Sequence, residues 1–97
     1  MLEEIKRRLG ANYIEGTDEI IEDLIDNIMS IASNITNRSN TDSELYPYVK
    51  KAVVSEYLQR GAEGMTSRSE GSLSSSFEDV IDKMRTNLIK DGLRRLR

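Results

Sequence analysis

Six serines and two glycines crowd into residues 64–77, GMTSRSEGSLSSSF, and serine is the most conspicuous candidate nucleophile in the chain. A serine oxygen attacks only when a neighbouring base takes its proton, and the usual base, histidine, does not occur. Cysteine is also absent, which removes the thiol nucleophile, any disulfide and, together with histidine, most transition-metal ligands. No GxSxG elbow, GxGxxG turn or GK[ST] phosphate loop is present. The acids Glu19, Glu22, Asp23 and Asp26 lack the spacing and central glycine of a calcium loop. The sequence therefore predicts no catalytic, cofactor-binding or metal residue, and the protein is not expected to be an enzyme.

Chemistry of a different kind is carried by two charged groups. The four acids recur at helical spacing, which makes them either a solvated face or a face that meets a basic partner or borders DNA without holding it. Arg94, Arg95 and Arg97 lie beside Leu93 and Leu96. In the plain reading these are cations suited to the carboxyl end of a helix at a frayed terminus. As a binding segment, so few phosphate contacts would give weak, salt-sensitive DNA affinity, whereas mixed leucine and arginine suit a protein groove. The net charge of -3 conceals an asymmetry: residues 1–48 carry ten acids and four bases, and residues 49–97 seven acids and ten bases.

The elements that must position these groups read as helices in one domain, residues 1–97, because 97 residues allow one small core. Leu2, Ile5 and Leu9 mark a short helix over 2–9 that Gly10 stops. Ile20, Ile21, Leu24, Ile25, Ile28, Ile31, Ala32 and Ile35 fall on one arc of a helix over 17–37, with Thr17 or Asp18 as its cap and the acids opposite. After the polar loop TNRSNTDSE, a third helix over 45–61 opens near Pro47 and ends at Gly61 or Gly64. Leu45, Val49, Ala52, Val53 and Tyr57 form its main stripe, widened by Tyr48, Val54 and Leu58. Tyr46, Tyr48 and Tyr57 belong at the edge of the core or at a subunit interface.

The last helix, 76–91, is capped by Ser75 with Glu78 or Ser76 with Asp79, and buries Phe77, Val80, Ile81, Met84 and Leu88. Asp91-Gly92 supplies a stop signal, so residues 92–97 are either a detached tail or a helical end with a second apolar face. In both cases Leu93 and Leu96, off the stripe, are expected to need a partner outside the core. Before it, residues 64–76 alternate in a way that suggests a polar, hairpin-like arm around Glu70-Gly71, marginal alone and expected to lie against helices or a second subunit. The fold class is all-α: a small bundle of three main helices plus a short N-terminal one. No apolar run reaches the ~18 residues of a membrane span, and MLEEIKRRLG has acids where a signal peptide starts basic, so a non-secreted protein without membrane contact is expected.

In their order, the acidic-start helix, LYPYVKKAVVSEYLQRGAEG, and MTSRSEGSLSSSFEDVIDKM before a last helix resemble the small head-tail connector proteins of tailed bacteriophages, also known as adaptor, DNA-packaging or head-completion proteins. The resemblance covers roughly residues 17–88. It implies a homo-oligomeric ring, twelvefold in the virion, seated beneath the portal at the head-tail junction after assembly in the host cytoplasm. Such a ring extends the channel for genomic DNA and offers a platform to the next neck or tail protein.

The resemblance further implies that residues 92–97, with Leu93, Arg94, Arg95, Leu96 and Arg97, dock on the portal. Met65, Thr66, Ser67, Arg68, Ser69, Glu70, Gly71, Ser72 and Leu73 become an arm between subunits. Carboxylates among Glu19, Glu22, Asp23 and Asp26 would face the lumen or an adjoining subunit, since acids let DNA pass where bases would bind it. The competing expectation is a small helical nucleic-acid-binding or regulatory protein that uses the basic segment 83–97.

Overall fold

Gly10 adopts φ +53, a left-handed conformation that favours glycine, and it closes α1 (Leu2–Leu9) where the pattern predicts. A computed structural model describes residues 1–66 and 77–94, with side chains for 1–60 and 77–94. A helix of this length does not persist alone, and α1 is held by burying Ile5 and Leu9 completely or nearly so. Each such burial is worth about 1.5–3 kcal/mol against exposure. A single 3-10 turn, Gly10–Asn12, leads towards α2 (Asp18–Thr36).

On α2 the isoleucine arc divides in two. Ile21, Leu24, Ile28 and Ala32 are buried, as is Met29, while Ile20, Ile25, Ile31 and Ile35 are only partly covered at its margins. Asn37, in the left-handed conformation, ends the helix. A second 3-10 turn, Ser43–Leu45, then feeds α3 (Tyr46–Thr66). Leu45, Val49, Ala52, Val53 and Tyr57 are buried and Tyr48 and Val54 partly so, but Leu58 is 48 % exposed, contrary to its placement on the widened apolar surface.

The end of α3 also differs from expectation. The helix runs through both Gly61 and Gly64 to Thr66. A glycine inside a helix costs about 1 kcal/mol relative to alanine, which weakens a helix without ending it. Met65 and Thr66 are therefore its last residues and not the start of an extended arm. The rest of the expected arm, with the serines proposed to cap the last helix, lies outside the described residues.

Helix α4 (Phe77–Lys90) buries Val80, Ile81, Met84 and Leu88, the stripe expected of it, with Phe77 partly buried. The helix α3 packs against α1, α2 and α4, while α2 also touches α1 and α4. The molecule is thus a triangle of α2, α3 and α4, with α1 laid along α2 and α3. No strand occurs among the described residues, and no described helix is long and apolar enough to cross a membrane.

Candidate functional site

At one end of the bundle, hydroxyl groups tie the entry of α2 to α3. Tyr57 is 2 % exposed, and its hydroxyl accepts a hydrogen bond from the Ile14 N–H at 2.8 Å. Thr17 donates to the Ile14 carbonyl at 2.6 Å, so its hydrogen is committed and the 3.0 Å contact between hydroxyls has Tyr57 donating to Thr17. Thr17 stands at the N-cap, but its side chain makes no capping bond to the first turn. Asp18, the other expected cap, instead accepts from the Tyr13 hydroxyl and, at 3.4 Å, from Lys6 Nζ, which also lies over the Tyr13 ring. The Tyr13 hydrogen bond, with help from Lys6, holds the Asp18 carboxyl below its usual range, and the same bond raises the Tyr13 hydroxyl.

At the opposite end one guanidinium gathers three chain segments. Arg38 Nε donates to the Leu93 carbonyl at 2.5 Å, and one terminal nitrogen donates to Asp42 at 3.0 Å and to Glu44 at 2.6 Å. Asp42 uses its other oxygen to cap the 3-10 turn through the Glu44 N–H, at 2.9 Å. Nearby, Tyr48 donates to Asp91 at 2.5 Å, which raises the Tyr48 hydroxyl above its ordinary value.

These contacts frame the close of α4. Gly92 has φ +75, its N–H reaches the Ile89 carbonyl at 3.1 Å, and the Leu93 N–H reaches the Leu88 carbonyl at 3.0 Å. This pair of bonds is the Schellman arrangement, which turns the residue after the glycine back onto the helix it ends. Leu93 accordingly packs on the core, so the expectation that it lacks a local partner is corrected. Arg94 is exposed, whereas Arg95, Leu96 and Arg97 lie outside the described residues.

Two surfaces stand apart from these ends. Glu19, Glu22, Asp23 and Asp26 are all exposed on the outer stripe of α2, where their spacing put them. Across the molecule an open groove of about 420 Å³ runs between α3 and α4, with the buried Ala52, Val80 and Met84 at its base and Lys51 and Lys83 on its margins. From the arm, only the backbone of Met65 and Thr66 is described, and Ser67, Arg68, Ser69, Glu70, Gly71, Ser72 and Leu73 are outside. No described cluster of histidine, cysteine or acids could hold a metal ion.

Sequence reasoning missed Arg38, Tyr57 as a hydrogen-bonding centre, and Glu56. Glu56 is fully buried on the core stripe of α3, with Arg60 Nε at 3.3 Å one turn on. Its signal was an acid on the core side at an i,i+4 spacing from arginine. Arg38 is the only base between Arg8 and Lys50, and it is followed by acids four and six residues later.

The bundle, with its exposed acidic stripe on α2 and its α3–α4 groove, is a small all-α protein. Residues 1–91 match the model of the phage gp6-like head-tail connector proteins, and the chain belongs to that family. It is thus a structural connector protein of the bacteriophage virion, from the junction of head and tail. No curated protein and no solved structure matches it significantly.

Proposed function

We propose that the protein forms a ring that docks on the portal, extends the DNA channel and presents a platform to the next neck or tail protein. The observation that carries this reading is the family match over residues 1–91. Geometry supports it at the C-terminal end, where Arg38, Tyr48 and the turn at Gly92 fix the direction in which the chain leaves α4. In this reading Arg94, Arg95, Leu96 and Arg97 make the portal contact, and Leu93 anchors them to the bundle. Residues 65–73 contact a neighbouring subunit. The α2 acids face the lumen or an adjoining subunit, where carboxylates repel passing DNA or pair with bases. No catalytic step is assigned.

Deletion of residues 94–97 tests the docking assignment, because it spares Gly92 and Leu93 and so leaves the closure of α4 intact. Filled heads made with the shortened chain should fail to retain the connector, leak DNA and reject tails. Particles that keep DNA and join tails normally would show that the segment does not dock.

A further inference from the structure

Helices α2, α3 and α4 pack on one another in a triangle, which sets the relation between the acidic stripe and the groove. The exposed stripe of α2 points away from α3 and α4, and the open α3–α4 groove points away from α2. The two surfaces therefore lie on opposite sides of one subunit. A closed ring needs such a pair, since each copy offers one surface forwards and a different, complementary one backwards.

Charge and register match across that pair. Lys51 and Lys83 have no charged or hydrogen-bonded partner among the described residues, and neither have Glu22, Asp23 and Asp26. The Tyr48–Asp91 bond puts the start of α3 beside the end of α4, so the two packed helices run antiparallel, and this point serves as a common origin along the groove. At about 1.5 Å per residue, Lys51 then stands ~4.5 Å and Lys83 ~12 Å along the groove, an offset of about 7.5 Å. On α2 the rise from Glu22 to Asp26 is about 6 Å.

The groove also carries two acids. Asp82 is bonded to Arg85 at 2.9 Å, which offsets its charge. Asp79 stands ~18 Å along. There an α2 with Asp26 at Lys83 would present Ser30, about 6 Å further on, where the exposed stripe changes from acids to Asn27, Ser30 and Asn34. A hydroxyl can donate to Asp79, whereas another carboxylate would repel it.

We infer that the α3–α4 groove receives the α2 acidic stripe of a second copy of this chain, running parallel to α3, with Glu22 at Lys51 and Asp26 at Lys83. This inference rests on the ring reading above and specifies its interface. Of the two positions open to the α2 acids, it takes the adjoining subunit for Glu22 and Asp26.

The cysteine-free sequence makes the test clean. Phage particles are assembled with the double variant Asp26→Cys/Lys83→Cys, treated with a short bismaleimide and analysed under denaturing conditions. A ladder of linked multimers is expected, while either single variant should give none. Linkage of Asp26→Cys chains to one another, or connector present in the particles without a ladder, would overturn the head-to-tail contact. Should wild-type particles contain no connector, the ring reading itself fails, and the inference with it.

Charge reversal gives an independent measure. Lys51→Glu/Lys83→Glu should lower incorporation into particles at least about tenfold, since like charges facing across an interface are strongly disfavoured. Adding Glu22→Lys/Asp26→Lys to the same chain should restore it. Unchanged incorporation of the reversed groove would overturn the assignment, with circular dichroism of the purified variant confirming that the helices are retained.

Discussion

The two ends of the bundle are fastened by different chemistry. Where α2 begins, the inner fastening is neutral: Tyr57, Thr17 and the Ile14 backbone share three hydrogen bonds around an almost fully buried hydroxyl. Where α4 ends, the fastening is one cation shared between two carboxylates and a backbone carbonyl 55 residues away. A neutral network of buried groups responds little to salt, while a partly exposed ionic one is screened. The first end is built to hold the bundle together. The second sets how the chain turns out of α4 at Gly92.

The largest effect should follow from breaking the ionic end. Arg38→Ala takes the shared cation away from Asp42, Glu44 and the Leu93 carbonyl. It is expected to cost about 3 kcal/mol in denaturant unfolding, given 1.5–3 kcal/mol for a hydrogen bond to a charged group and incomplete additivity. The loss should be accompanied by faster proteolysis after Lys90, and Arg38→Lys should rescue little, because an ammonium cannot span the same forked geometry. A loss of stability with no change at the C-terminal cleavage site would break the contrast between the ends.

Breaking the neutral end should cost less. Tyr57→Phe leaves the Ile14 N–H without its acceptor and is expected to lower unfolding free energy by about 2 kcal/mol. That loss should be the same in low and high salt, and C-terminal proteolysis should not change. A strong salt dependence would show that the outer charges around Asp18 dominate this end.

The smallest effect concerns that outer layer. The Asp18 carboxyl is held low by the Tyr13 hydroxyl and then Lys6, and Glu4 is held low by Lys50. A lowered folded-state pKa means that their contribution is fully present above the ordinary carboxylate range, about 4, and is lost as pH falls through the folded values. Thermal unfolding followed against pH should therefore weaken on the acid side. Asp18→Asn should flatten that slope, and an unchanged slope would remove Asp18 from the account.

How far these ends were legible in the sequence follows from the range of their contacts. The stripe of α4 and its stop at Gly92 are local signals, as is the acidic stripe of α2, and each stands where spacing placed it. Gly61 and Gly64 misled because glycine lowers helix propensity without ending a helix that continues. Leu93 looked unpartnered because a straight helix points it off the stripe, and only the reversal at Gly92 returns it to the core. Arg38 was hidden because its most informative partner, the Leu93 carbonyl, is remote in sequence and is a backbone atom that no side-chain pattern records. Glu56 passed for a surface acid because periodicity weighs apolar positions and assigns no meaning to a charge among them.

The central claim is a ring at the head-tail junction, and the direct measurement is electron cryo-microscopy of filled phage heads, with and without the gene for this chain. A ring of this helical bundle directly beneath the portal, lost when the gene is deleted, is the predicted result. Density beneath the portal that is unchanged without the chain would contradict it.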